Sequence, residues 1–428
     1  MAGKIGIIAD DFTGANDSGV RLAQKGLRSK VMLTPPAHPA ADEPEIDVWI
    51  ADTNSRSIVP DQAYQNVCLE IRQLKKRGVT SFYKKIDSTL RGNIKAELTA
   101  LQDEAALDVL LIAPAFPSMG RTVENGHLYV YGQPVTETEF ARDPKTPVLY
   151  DYIPDLLESE GVAIDVLDQA RLRGEAPERW IAERVQKGVQ WIVCDTLEEQ
   201  DLAVLAALEA KLDLSIGFAG SAGLIDHLYT PAAGNNEKPA GQMEKVLVVS
   251  GSLSKNTQSQ LTKLSERPAT CMIEVDPMAL LENPAGVKQS ISKLDEASDW
   301  DSAVIFVEAS ERNRDQVKAW AEQHGEKTET GAAIIAQGLG SLVNAAMEKH
   351  PFDAVVMTGG DTAKAICSRL GIADMELKFE IEAGLPLGLA KWREKEISVI
   401  TKAGGFGTEN SLVHVVDYLK GAKTYDNE

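Results

Sequence analysis

The 428-residue chain is poor in several features that would fix its class at once. Its four cysteines, Cys68, Cys194, Cys271 and Cys367, stand isolated and far apart. That spacing builds neither a disulfide scaffold nor a zinc knuckle, so they are expected as buried filler. Only six histidines occur, without metal-ligand spacing, and the lone His127 is expected to be structural. Basic residues are outnumbered: 44 Lys and Arg against 64 Asp and Glu give a formal charge of -20. Phosphate backbones need basic surface, so a nucleic-acid partner is excluded, and docking on an anionic membrane is equally disfavoured. No apolar run approaches the roughly 20 residues of a membrane span. Met1-Ala2-Gly3-Lys4 leads straight into an apolar run, so no signal peptide is expected and the location is read as cytoplasmic. G-x-x-x-x-G-K-[ST] is absent, which excludes a P-loop protein. No G-x-G-x-x-G follows the first strand of either half, which counts against a dinucleotide oxidoreductase.

What is present is the composition of a globular protein, 43% hydrophobic and 25% charged, in a chain too long for one ordinary core. Ile5 to Ala9 reads as a buried strand that breaks into Asp10, Asp11, Thr13, Asn16 and Asp17 before a helix carrying Val20, Ala23 and Leu27. One helix cap needs one such residue, not five. Strand, polar turn and helix make half a βαβ unit, and ligands sit beyond the carboxyl ends of such strands.

The pattern repeats. Asp47 to Ala51 is a strand ending in Asp52-Thr53-Asn54-Ser55-Arg56. A helix from Pro60 with Val67, Ile71 and Leu74 inward follows. Val79 to Tyr83 is a strand running into Lys84-Lys85-Ile86-Asp87-Ser88-Thr89-Leu90-Arg91-Gly92-Asn93. Val109 to Ala113 opens into Pro114 to Arg121. A βαβα rhythm implies a parallel sheet with helices on both faces, so four polar loops are expected along one edge. Together they would hold acids (Asp10, Asp11, Asp87), bases (Arg56, Lys84, Lys85, Arg91) and hydroxyls, a mixture suited to a small anionic polyhydroxylated ligand. Residues 121–150 read as a hairpin insertion, either carrying Glu137, Glu139 and Arg142 to the site or building a dimer contact. Further strands are expected at 162–166 and 191–194, and Phe218 to Leu224 reads as a small-residue turn into a helix.

A Pro-, Gly- and Asn-rich stretch over 230–241 is the linker candidate. The division expected is therefore 1–232, a linker at 233–242, and 243–428. Strands at 246–249, 303–307, 354–357 and 397–400 follow. Three of the four end in Gly/Ser/Thr turns: Ser250-Gly251-Ser252, Thr358-Gly359-Gly360-Asp361-Thr362 and Lys402-Ala403-Gly404-Gly405-Phe406-Gly407. Consecutive backbone N–H groups in such turns make an anion nest, here sized for a polyphosphate. The fold class is thus α/β: two α/β domains, each with a mainly parallel sheet flanked by helices, and no Walker A loop.

The segment Asp10 to Asp17, the segment Lys84 to Asn93 and the three C-terminal turns resemble the signatures of the four-carbon acid sugar kinase family, from end to end of the chain. Gly14-Ala15-Asn16-Asp17-Ser18-Gly19 is more similar to its threonate and erythronate kinases than to its 3-oxo-tetronate kinases. The resemblance implies an N-terminal sugar-acid-binding domain, a C-terminal nucleotide-binding domain, ATP with Mg²⁺, a homodimer, and phosphorylation of the 4-hydroxyl of D-threonate or D-erythronate, with 3-oxo-tetronate as the alternative acceptor. On this reading Arg56 and one of Lys84 or Lys85 bind the substrate carboxylate, with Asp10 and Arg91 also lining the acid site. Asp11 and Asp87 bind hydroxyls, and one of the two takes the proton from the 4-hydroxyl. Ser252, Thr358, Gly359, Gly360, Asp361, Thr362, Gly404, Gly405 and Gly407 bind the nucleotide, Asp361 through Mg²⁺ or a ribose hydroxyl; the metal ligands are otherwise unassigned. Closure about the linker would exclude water. An aldolase or dehydrogenase, or a non-catalytic sugar-acid sensor, would share the N-terminal crevice but leaves the three glycine-rich turns unexplained.

Overall fold

The structure is a computed structural model that describes residues 4–33, 45–143, 145–159, 161–229, 243–283, 286–297 and 299–421. The expected linker, 233–242, lies outside the described residues. The chain divides into two compact units, Met1–Val31 with Pro39–Asn235, and Met32–His38 with Asn236–Glu428.

The first unit is built on β1 (Lys4–Ala9), β2 (Ser29–Met32), β3 (Val48–Asp52), β4 (Val79–Lys85), β5 (Val109–Ala113), β9 (Ala163–Leu167), β10 (Val189–Cys194) and β11 (Ile216–Gly220), in the order β2-β3-β1-β4-β11-β5-β10-β9. From β3 to β9 every neighbouring pair is parallel. Strands covered on both faces are continuous apolar runs, and Ile7, Ile8, Ile50, Leu110, Leu111 and Ile112 are wholly buried. Helices α1 (Phe12–Gln24), α2 (Pro60–Lys76) and α3 (Ile94–Ala105) cover the sheet. The 121–150 insertion opens as a separate three-stranded antiparallel sheet, β6 (Arg121–Glu124), β7 (His127–Val130) and β8 (Gln133–Pro134).

One strand changes the expected edge. The first part of the segment read as a turn into a helix at 218–224 belongs to β11, inserted between β4 and β5, while the helix begins at Ala222 as expected. Small residues hid the strand: a Cβ on Gly220 would stand 2.7 Å from the Tyr83 hydroxyl, and beyond Ile216 this strand has none of the branched side chains that announce the others. The loop after β5 is therefore one strand further from β4 than the chain order implies.

The second unit carries β12 (Val246–Ser250), β13 (Thr270–Glu274), β14 (Ser302–Phe306), β15 (Ala354–Thr358), β16 (Asp374–Glu380), β17 (Pro386–Trp392) and β18 (Lys395–Lys402), ordered β13-β14-β12-β15-β18-β17-β16. The first five are parallel, and β16 and β17 add an antiparallel edge. Val246, Val248, Val356, Leu261, Leu264, Val415 and Val416 share one core between the sheet and the helices Lys255–Ser265 and Ser411–Leu419. The helix Thr328–Lys349 is long and apolar enough to cross a membrane by length and composition, which qualifies the reading that no span-length run exists. In the fold it is a core helix: Leu339, Val343 and Ala346 are wholly buried, and it packs on the helix Gly360–Leu370.

Candidate active site

Ala9 at the end of β1 stands opposite Asp52 of β3 on one side and Lys85 of β4 on the other. The next residues of all three strands therefore emerge together. Asp11 caps α1, its Oδ1 accepting from the Gly14 amide at 2.9 Å. Gly14 leaves room for both side chains: a Cβ there would lie 2.6 Å from Asp11 Oδ1 and 2.9 Å from Lys85 Nζ and would displace them. The β3 loop is held by backbone bonds from Ser55 and Arg56 to the Asp10 carbonyl. Asn93, just before α3, donates to the carbonyls of Ser55 and Ile58, both at 2.7 Å.

These constraints aim Arg56 at three carboxylates. Its guanidinium grips Asp10 through Nε–Oδ2 (2.6 Å) and Nη2–Oδ1 (3.0 Å), reaches Asp11 Oδ2 at 2.9 Å, and lies 3.7 Å from Asp87 Oδ1. Asp87 is in turn held by both forks of Arg91 at 3.0 Å and by the Thr89 amide and hydroxyl. Burial pushes Asp10 up, but the charge and hydrogen bonds of Arg56 outweigh it and hold the carboxyl below its ordinary value. Asp87 is likewise driven far below the carboxylate range, its burial overcome by Arg56 and Arg91. Asp11 goes the other way: burial raises it, Arg56 offsets part of that, and the neighbouring Asp10 pushes it up again. Three acids packed together thus have unequal affinity for a proton.

The two lysines of β4 part company, as adjacent strand residues must. Lys85 Nζ donates to the Ile86 carbonyl at 3.0 Å and approaches Gly14. It forms no ion pair among the described residues. Lys84 is wholly buried, with Nζ 2.9 Å from Glu97 Oε2 of α3 and hydrogen bonds to the carbonyls of Ile8 and Lys85. Lys84 is therefore corrected from a ligand-binding residue to a buried tie between β1, β4 and α3. Burial raises the Glu97 carboxyl despite Lys84. Lys84→Met should cost about 3–5 kcal/mol by stranding Glu97, and adding Glu97→Leu should restore most of it. Urea unfolding of the single and double variants checks this; equal midpoints for wild type and Lys84→Met would refute it.

The remaining loop contributes nothing to the cluster. Arg121, after β5, turns to the Met119 carbonyl and the Tyr131 ring. The insertion does reach the site, but through other residues than those expected. Asp143 accepts from Arg91 Nη1 at 3.3 Å and Phe140 lies under the same guanidinium, 5.3 Å from the ring centre.

In the second unit, Ser250, Thr358 and Lys402 form one row across β12, β15 and β18. The three small-residue turns therefore leave the sheet at the same level. The Thr358 hydroxyl donates to Ser250 Oγ at 2.8 Å, and Gly359, at φ 92°, precedes the helix Gly360–Leu370. Ser252 and Thr362 are buried and Asp361 is exposed in the first turn of that helix.

Residues 5–228 match the model of a sugar-binding N-terminal domain, and residues 247–412 that of a nucleotide-binding C-terminal domain. A D-threonate kinase of Salmonella typhimurium is 32% identical over 97% of this chain and 98% of its own. A D-erythronate kinase of Heliobacterium modesticaldum is 30% identical over 96% of each. The chain belongs to the four-carbon acid sugar kinase family. A solved structure from Salmonella typhimurium LT2, described as a putative tRNA synthase, aligns with a TM-score of 0.80 at 26% identity, over 96% of this chain and 98% of that one.

For a sugar-acid kinase, which implies a nucleotide such as ATP as donor, the grouping is informative. Asp10, Asp11, Arg56, Lys85, Asp87 and Arg91 come together in the first unit, and the three turns in the second. Phe140 and Asp143 gave no signal in the sequence, since they arrive from an insertion without periodicity. Glu97 gave none either, because a carboxylate on an amphipathic helix reads as surface.

Proposed function

We propose that the protein transfers the γ-phosphoryl group of ATP to the 4-hydroxyl of a four-carbon sugar acid, D-threonate or D-erythronate. The first unit holds the acid and the second the nucleotide. The observation that carries this reading is the charge balance around Arg56. Asp10 and Asp87 are committed to arginines, Asp11 keeps the highest proton affinity of the three, and Lys85 is a cation without a carboxylate partner among the described residues. Three cations face three carboxylates there, but Lys85 is left without a direct carboxylate contact, so the site offers a cation to an incoming carboxylate and acceptors to hydroxyls. A short hydroxy acid supplies both. Its carboxylate pairs with Lys85 beside Arg56, its hydroxyls meet Asp11 and Asp87, and Asp11 takes the proton as the 4-hydroxyl attacks.

In the second unit the row of turns supports phosphate binding through backbone N–H groups. Mg²⁺ needs only one or two carboxylates beside phosphate oxygens and water. Exposed Asp361 has the right donor chemistry and stands beside Gly359 and Gly360. When bound, the ion neutralises charge on the phosphates being transferred. The exposed Tyr131, Leu149 and Tyr150 of the insertion support assembly as a homodimer, and the location is taken as cytoplasmic.

A coupled ADP-release assay with ATP and Mg²⁺ tests the reading against D-threonate, D-erythronate, their L-forms and 3-oxo-tetronate. Turnover on D-threonate or D-erythronate is expected. Turnover on 3-oxo-tetronate alone would move the acceptor assignment, and binding of an acid without ADP release would replace the kinase by a sensor.

A further inference from the structure

The loop after β18 is wired to the rest of the second unit almost wholly through its carbonyls. Lys402 Nζ donates to the carbonyls of Ala403 (2.9 Å) and Gly404 (3.1 Å), and the Thr257 hydroxyl also donates to Gly404 (2.8 Å). Asn256 Nδ2 is shared among Gly405, Phe406 and Gly407 at 3.0, 3.1 and 2.8 Å. Gln260 Nε2 donates to Phe406 at 3.1 Å and Thr408 at 2.7 Å. Six consecutive carbonyls are thus turned toward Lys402 and one face of the helix Lys255–Ser265.

A trans peptide sets its N–H opposite its C=O. Gathering the carbonyls on one side therefore turns the following N–H groups to the other. Phe406 N–H folds back onto the Ala403 carbonyl and Thr408 N–H goes to Ser411 Oγ. The N–H groups of Gly404, Gly405 and Gly407 have no partner among the described residues. A Cβ placed on Gly405 would meet nothing within 4 Å, so that part of the loop faces open space. Three unpaired donors on an open loop are what an anion meets. The cation behind them is also unusual. Lys402 is buried, is drawn down to about 8 by that burial, and has no carboxylate partner among the described residues. Among the described residues its ammonium is met by loop oxygens and by the Thr257 hydroxyl, 3.4 Å away.

We propose that Asn256, Thr257, Gln260 and Lys402 are positioning residues of the nucleotide site: they hold the 403–408 carbonyls so that the N–H groups of Gly404, Gly405 and Gly407 meet a nucleotide's phosphates. This rests on the reading of that loop as the ATP site. Asn256 is the most economical handle, since one amide secures three carbonyls and is only half-buried.

The test is steady-state kinetics of Asn256→Asp and Asn256→Gln in the full-length protein, varying ATP and acid separately. Asn256→Asp keeps the shape but faces three carbonyls with an acceptor, so it should raise the KM for ATP roughly tenfold or more, as expected for losing hydrogen bonds to a charged ligand. The KM for the acid should stay within about twofold, because that site is built from other residues. Asn256→Gln, which keeps the donors, should recover part of the loss. An unchanged ATP KM in Asn256→Asp overturns the positioning role while leaving the kinase reading intact. So does an equal rise in both KM values, which would mark general structural damage. Wild-type protein that neither binds ATP in calorimetry nor releases ADP would instead overturn the reading of the loop itself, and the proposal with it.

Discussion

Arg56→Met is expected to lower kcat/KM by roughly 10²-fold or more and to destabilise the first unit by about 3–5 kcal/mol at pH 7. Methionine fills much of the same volume, so the effect isolates charge. Removing the guanidinium leaves Asp10 wholly buried beside Asp11, and Asp87 with Arg91 as its one remaining cationic partner among the described residues. The pH dependence gives the sign. In the wild type, Asp10 and Asp87 titrate below their unfolded value, so their contribution is complete above about pH 4 and lost only as pH falls further. In the variant, burial is no longer outweighed and Asp10 titrates above its unfolded value. A group raised in the folded state contributes stability at low pH that is lost as pH rises through its folded pKa. The deficit should therefore shrink from pH 7 to pH 5. Urea unfolding at the two pH values decides it, and a deficit that is constant or grows toward pH 5 would rule out the three-carboxylate account.

How much of this was legible in the sequence follows from how each residue signals. Strands buried on both faces, such as β1, β5, β12 and β15, are runs of Ile, Val and Leu and were visible. β11 was not, because its place beside Tyr83 demands glycine. β16 and β17 were not, because an antiparallel edge with one half-exposed face mixes charged residues such as Glu376 and Lys378 into the pattern. The acid site was largely readable because short polar residues clustered at the ends of visible strands. The choice between Lys84 and Lys85 was not, since neighbouring residues point to opposite faces and only the packing of α3 says which face is sealed. The amides behind the 403–408 loop were the least visible. Asn256 and Gln260 on a helix look like ordinary surface residues until the loop 150 residues away is laid on them.

Asp11→Asn should lower kcat by about 10²–10⁴-fold, the range a general base supplies, with the KM for the acid little changed. Asparagine caps a helix as well as aspartate, so the Gly14 amide keeps its acceptor and stability should move little. What is lost is the proton acceptor, together with the charge of the pair to Arg56 Nη1. Asp11 suits that task better than Asp87, because an effective base has a proton affinity closer to working pH. Burial lifts Asp11 above the ordinary carboxylate value, whereas two arginines hold Asp87 far below it. Asp87→Asn should therefore act through binding: Arg91 loses its bidentate partner, the positions of both arginines relax, and the KM for the acid rises more than kcat falls. The pH profiles separate the two roles further. A base must be deprotonated, so wild-type kcat/KM should fall as pH drops through the Asp11 pKa, on a limb lying above that of an unperturbed aspartate. Asp87→Asn should keep that limb, and the residual activity of Asp11→Asn should lose it. If instead Asp87→Asn abolished kcat and flattened the acid limb while Asp11→Asn retained it, the two carboxylates would exchange roles.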